Sequence, residues 1–283
     1  MANLTPLDLT DEGTGKTVET PSGTIYYNEA GSGPVLLMLH GSGPGATGWS
    51  NFGGAIKQLA NDFRCIAVDM PGWGRSAEVT FEKRNHCETA LEIIDALGID
   101  KVALIGNSMG GMTALQFSAR HPERTSHLIT MGPGAPGVRY FGAGDGPTEG
   151  LKLLQAGYVD PSPKSIRRMV NIFTYDKDFA TDALIAQRSA AAMANPNHLK
   201  NHIESFGKFP KNRLTMEECM SISAPALLIH GRDDRVVHYE NTLFLVSAIP
   251  NSRAVILNRC GHWAMLEHLN EFCRLVADFV ENN

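Results

Sequence analysis

KVALIGNSMGGMTAL, residues 101–115, decides how the chain folds. An apolar run at 102–105 leads directly into Gly106-Asn107-Ser108-Met109-Gly110, and residues at helical spacing continue to Ala119. The order is strand, sharp turn, helix, with a serine at the turn in the pattern G-x-S-x-G. The glycines have a physical use. A strand that turns at once into a helix strains the serine backbone and leaves no room for a Cβ on either flank. The helix N-terminus behind the serine favours negative charge close by. Taken alone, the pentapeptide fits a polar turn as well as it fits a nucleophile.

The same alternation extends outward in both directions. TIYYNEAGSG (24–33) and VLLMLH (35–40) read as strands, and the segment up to Thr20 as polar and peripheral. Trp49–Leu59 has helical periodicity, CIAVDM (65–70) is a buried strand, and Arg84–Leu97 is a helix stopped by Gly98. HLITMGP (127–133), ALLIHG (226–231) and RAVIL (253–257) complete the strands, and a last helix covers about Asn270–Glu281. Apolar strands separated by helix-length segments predict an α/β fold, with a mostly parallel central sheet flanked by helices. From about Gly134 to Met220 the strands stop and helices are expected near Pro147–Ala156, Ser162–Phe173 and Asp182–Met193. The division is therefore core 1–133, helical lid 134–220 and core 221–283.

Bulk properties narrow the function. With 283 residues and a formal net charge of −5, the chain can bury a large core but has no basic stripe for nucleic acid. The opening MANLTPLDLT lacks a signal-peptide pattern, and no 18-residue apolar stretch suggests a membrane span. The five cysteines are odd in number and unclustered, as expected for reduced thiols in a cytoplasmic protein. No metal-ligand spacing occurs, and the Gly-rich HGSGPG (40–45) lacks the endings of nucleotide loops, so no metal or cofactor is expected.

A serine nucleophile needs a base, and the base needs an orienting acid, in the chain order Ser, Asp or Glu, His for this kind of elbow. LLIHGRDDRVV supplies Asp233 and Asp234 after one strand, and RCGHWAMLEH supplies His262 after the next. All three groups then lie at carboxyl ends of strands, where open α/β sheets place their sites. Ser108, Asp234 and His262 are the expected catalytic triad, with Asp233 a turn residue. The backbone N–H groups of Ser42 and Met109 are the expected oxyanion hole. His40 and Asp69 read as groups that organise loops. A carboxylesterase or thioesterase would use the same set, while a binding protein on a retired hydrolase fold would normally have lost a member. A peroxidase or dehalogenase is remote, since the latter usually has Asp where Ser108 stands.

Together, HGSGPGATGWSNF, DMPGWGRS, LIGNSMGGMTAL, MGPG, GRDDRVV and CGHWAMLEHLNEFCRLVADFV resemble the meta-cleavage product hydrolases. These are cofactor-free α/β-hydrolases of bacterial aromatic degradation. The resemblance covers essentially the whole chain. It implies cleavage of the C5–C6 bond of 2-hydroxy-6-oxo-hexa-2,4-dienoates to 2-hydroxypenta-2,4-dienoate and a carboxylic acid. It also implies that Asn51, Asn107 and Arg188 meet the dienoate end of a small-molecule substrate and that Trp263 walls the pocket. Asn51 read from pattern alone could instead serve the helix start. Ser42 stands where many members have glycine, and His238 where related chains commonly have proline. The C6 group would be held by lid residues such as Phe141, Leu153, Leu154, Ile172, Phe173 and Met193. No basic residue beyond Arg188 points to a second carboxylate pocket, which favours an aryl or bulky alkyl group. Members commonly form dimers or higher homo-oligomers.

Overall fold

The computed structural model describes residues 2–137, 140–141, 147–208 and 213–283. Eight strands form one sheet in the order β1-β2-β4-β3-β5-β6-β7-β8. They are β1 (Gly15–Thr20), β2 (Gly23–Ala30), β3 (Val35–Leu39), β4 (Arg64–Val68), β5 (Val102–Asn107), β6 (Thr125–Met131), β7 (Ala226–Gly231) and β8 (Ser252–Leu257). β2 runs antiparallel to both its neighbours, β1 and β4, and all pairs among β3–β8 are parallel. β1 corrects the reading of the opening segment as merely peripheral. Its pairing with β2 is made by backbone, and GKTVET has one apolar side chain to advertise it.

Along the core strands, successive side chains enter opposite hydrophobic layers. Leu36, Met38, Ala103, Ile105, Leu227 and Ile229 face one layer, and Leu37, Leu39, Val102, Leu104, Leu128 and Leu228 the other. Both faces are covered, so these strands are apolar throughout rather than alternating. The core helices are α1 (Asp11–Thr14), α2 (Gly48–Leu59), α3 (His86–Ala96) and α4 (Met109–Arg120). Between β6 and β7 come α5 (Glu149–Val159), α6 (Pro163–Phe173), α7 (Asp182–Met193), α8 (Pro196–Ile203) and α9 (Met216–Ser221). After β7 come α10 (Glu240–Ala248), α11 (Ala264–Glu267) and α12 (Leu269–Glu281).

The helical insertion is not a separate globule. In α6, Ser162 caps the N-terminus, Pro163 follows it, and Ile166, Met169, Val170 and Phe173 form one apolar face. That face joins the same hydrophobic layer as Leu36 and Ile105, so the insertion is packed onto the sheet. From β3 the chain moves to β4 and then crosses back over β3 to β5. This reversal opens a crevice at the carboxyl ends of β3 and β5, where the HGSGPG loop and Ser108 begin. No helix among the described residues is long and apolar enough to cross a membrane.

Candidate active site

Ser108 stands between β5 and α4 at φ 50° and ψ −111°, one of two non-glycine residues with positive φ among the described residues. Such a conformation costs about 1–3 kcal/mol and persists only where neighbours over-determine it. Here the Ser108 N–H donates to the Met131 carbonyl at 2.8 Å. A Cβ on Gly106 would come within 2.2 Å of the Gly110 carbonyl oxygen, and one on Gly110 within 2.0 Å of the Leu39 carbonyl oxygen. Both glycines are thus fixed by close backbone approach. Met109 opens α4, so its N–H has no acceptor within the helix. The Ser42 N–H also has no acceptor among the described residues.

His262 Nδ1 donates to Asp234 Oδ2 at 2.7 Å, and both side chains are buried. The other carboxylate oxygen, Oδ1, accepts the N–H groups of Val236 (2.8 Å) and Val237 (3.0 Å). A second histidine, His230, places Nε2 3.1 Å from Asp234 Oδ2 and 2.8 Å from the Val237 carbonyl. Both are acceptors, so His230 carries its proton on Nε2, and Nδ1 accepts from the Thr242 hydroxyl at 2.8 Å. Burial alone would raise the Asp234 carboxyl, but the charge and N–H donors of His262 and His230 hold it well below the usual carboxylate range. Asp233 has no part in this network; its nearest ion-pair partner is Arg232 at 3.9 Å. His230 follows the apolar run Leu227–Ile229 and stands four residues before Asp234.

Asn107, next to Ser108, donates through Nδ2 to the carbonyls of Met131 and His262, both at 3.1 Å. It therefore ties the elbow to the His262 loop, and its Oδ1 is buried without a partner. Asn51, expected to meet the substrate, also makes hydrogen bonds within the protein. Its Nδ2 donates to the Thr47 carbonyl and Ser50 Oγ, both at 3.2 Å, and its Oδ1 accepts the Gly41 N–H at 3.4 Å. The amide braces the start of α2 against the Gly-rich loop. His40 and Asp69 organise that loop further. His40 Nε2 accepts the Met70 N–H at 3.0 Å, and Asp69 takes the N–H groups of Gly48 (2.7 Å) and Arg75 (3.0 Å). Burial pushes the His40 imidazole down to about 4, so it is neutral near pH 7.

Arg188 of α7 is 3% exposed. Its guanidinium lies 4.7 Å from the centre of the Trp263 ring and beside Gly43. No acid or hydrogen-bond acceptor meets it among the described residues, and Nε is buried without a partner. Burial pushes its pKa down to about 10. Trp263 also packs on Phe173, whose ring contacts His262 as well. Of the expected lid pocket residues, Leu154 and Phe173 are buried, while Phe141 and Met193 are 75% and 52% exposed and face solvent.

Tyr158 of α5 joins the lid to the Gly-rich loop. Its hydroxyl accepts the Gly43 N–H at 2.8 Å and Trp73 Nε1–H at 3.0 Å, and lies 3.0 Å from Ser42 Oγ. With both lone pairs taken, its own proton goes to Ser42 Oγ. No spacing pattern along the chain points to this residue.

The chain matches the family model of the alpha/beta hydrolase fold over residues 34–269. A solved structure, the meta-cleavage product hydrolase CumD of Pseudomonas fluorescens IP01 with acetates, superposes with a TM-score of 0.84. It is 30% identical, and the match covers 95% of this chain and 98% of that one. The chain belongs to the meta-cleavage product hydrolases. Relatives of this hydrolase include a 2-hydroxy-6-oxo-6-phenylhexa-2,4-dienoate hydrolase of Burkholderia cepacia, 42% identical over 91% of both chains. Another is a 2-hydroxy-6-oxononadienedioate/2-hydroxy-6-oxononatrienedioate hydrolase of Cupriavidus pinatubonensis, 39% identical over 97% of this chain and 98% of that one.

Within this hydrolase the Tyr158 hydroxyl can be tested directly. Tyr158→Phe leaves the buried Gly43 N–H without an acceptor and weakens the Trp73 contact, so a loss of about 1–3 kcal/mol is expected. A urea unfolding midpoint equal to that of the parent would contradict this role.

Proposed function

We propose that this chain hydrolyses the C5–C6 bond of 2-hydroxy-6-oxo-hexa-2,4-dienoates with an aryl or alkyl group at C6. The products are 2-hydroxypenta-2,4-dienoate and a carboxylic acid. The observation that carries the reading is Arg188, a buried cation with no counter-ion among the described residues, stacked on Trp263 beside the Gly-rich loop. Such a group costs stability, so its retention points to a functional role, and it fits a substrate carboxylate. A neutral ester would leave it unpaired, which disfavours the carboxylesterase or thioesterase alternative. The relatives' names divide over the C6 group, one specifying phenyl and another a dioate.

In this reading the 2-hydroxyl proton moves to C5, giving the 2,6-diketone with a C3–C4 double bond. Ser108 Oγ, losing its proton to His262 Nε2, attacks the C6 carbonyl. The resulting oxyanion accepts the N–H groups of Ser42 and Met109. Asp234 and His230 fix the His262 tautomer that leaves Nε2 free to accept. The C5–C6 pair of electrons then passes into the enone as a dienolate, which takes the proton back from His262. Water, activated by the same base, releases the acid from Ser108. The test is kcat/KM for a 6-alkyl or 6-phenyl dienoate against p-nitrophenyl butyrate. A dienoate advantage of roughly a hundred-fold or more is expected from one buried charged contact. A faster ester would establish the alternative.

A further inference from the structure

The end of lid helix α6 is fastened to the two loops that carry the catalytic acid and base. The last carbonyls of an α-helix have no partner within the helix. Here the core supplies their donors. The Phe173 carbonyl accepts the His262 N–H at 2.6 Å, and the Asn171 and Thr174 carbonyls accept Arg235 Nη2 at 2.6 and 2.8 Å. Arg235 directly follows Asp234, so one donor belongs to the base loop and the other to the acid loop. A cation at a helix C-terminus also meets the negative end of its dipole.

Glu267, at the end of α11, spans the same junction. Its Oε1 accepts the Gly261 N–H at 2.8 Å and its Oε2 the Tyr175 N–H at 2.6 Å. Gly261 immediately precedes His262, and Tyr175 lies two residues beyond α6. Each carboxylate oxygen therefore holds a different element, one in the core and one in the lid. The two backbones run in close contact, since a Cβ on Gly261 would come within 2.3 Å of the Phe173 carbonyl oxygen. Glu267 takes no part in the proton transfers described above.

We propose that Glu267 is a positioning residue that clamps the His262 loop to lid segment 173–175, so that the lid holds the base against Asp234 as well as covering the substrate. His262 is then fixed by Nδ1 on Asp234, by its own N–H on Phe173 and by the preceding N–H on Glu267. Without Glu267 the Phe173 contact is loosened too, because Phe173 sits on the segment that Glu267 holds. A shift of about 1 Å between base and nucleophile can lower a rate about a hundred-fold. Arg188 lies on a different lid helix, and the Ser42 and Met109 N–H groups on other loops, so substrate binding should change little. The inference rests on the triad reading above, not on the choice between dienoate and ester.

The experiment measures kcat and KM for the parent, Glu267→Ala and Glu267→Gln, on the 6-phenyl dienoate and on p-nitrophenyl butyrate. Alanine removes both acceptors and should lower kcat about thirty-fold on either substrate, with KM within about two-fold. Glutamine has one acceptor oxygen, keeps one of the two bonds and should recover to within about five-fold of the parent. A brace that served only the fold would lower the Tm and leave kcat of the folded enzyme alone. Parent-like kcat in Glu267→Ala, or a fall in kcat matched by a rise in KM, would overturn the proposal. If alanine prevents folding, Glu267→Gln decides: kcat about five-fold lower at parent KM supports the clamp, and parent kcat overturns it. Amide hydrogen exchange adds a readout that needs no turnover. Exchange at 173–175 and at 261–263 should accelerate together by about ten-fold or more in Glu267→Ala. Acceleration confined to one segment, or none, overturns the clamp. Joint acceleration in a protein whose parent turns over neither substrate would uphold the clamp and count against the hydrolytic reading.

Discussion

Replacing Arg188 by methionine is expected to lower kcat/KM on a dienoate by about a thousand-fold while making the protein more stable. The two effects have one origin. The guanidinium is buried on the lid helix, stacked on Trp263, with no counter-ion among the described residues. A shift from 12.5 to about 10 means the folded state disfavours the charged form by roughly 3 kcal/mol. The sign is clear. At pH 7 the group is charged in both folded and unfolded chains, so the whole penalty opposes folding, and it would fade only above pH 10. Methionine fills similar volume without the charge and loses a cation–π contact of about 1–2 kcal/mol. A net gain of about 1–2 kcal/mol remains, or a few degrees in Tm for a chain of this size. On the substrate side, a carboxylate that meets no cation loses its charge-assisted bonds in every bound state. A variant as active as the parent, or one with a lowered Tm, would mean that Arg188 is a structural brace and not an anion site.

What the sequence revealed about this site followed the range of its signals. The elbow, the acid strand and the His262 loop each begin where an unbroken apolar run ends, and strand burial writes that pattern locally. The six parallel strands were legible for the same reason. β1 was not, since its pairing is backbone hydrogen bonding and only Val18 in it is apolar. The family resemblance places Asn51 at the substrate, while its pattern alone suits the start of the following helix. Its amide is taken up by Thr47, Ser50 and Gly41. Tyr158, His230 and Glu267 gain their meaning from partners 4 to 116 residues away. No spacing rule could have brought Tyr158 to Ser42, or Glu267 to Tyr175.

Asp234 and Asp233 are neighbours in sequence, and asparagine at the two positions should have opposite consequences. Every acceptor site around the Asp234 carboxylate faces a donor: Val236 and Val237 N–H on Oδ1, His262 and His230 on Oδ2. An asparagine must turn its NH2 toward one of these pairs. Facing the valines it meets two N–H groups that cannot change. Facing the histidines it can be accommodated only if His262 moves its proton to Nε2, so that Nδ1 becomes an acceptor. That tautomer has no lone pair left for the Ser108 proton. A fall in kcat of about ten-thousand-fold is expected, as for other triads whose acid becomes an amide. His230 is held by the Val237 carbonyl and Thr242, so it cannot follow without breaking both bonds. The variant should therefore also lose about 1–3 kcal/mol of stability to an unsatisfied donor. Asp233→Asn touches only a long contact to Arg232 and should keep kcat within about two-fold. Measuring both variants with Ser108→Ala as the baseline separates the cases. If Asp234→Asn retained a tenth of the parent rate, His262 would not depend on this carboxylate for its tautomer.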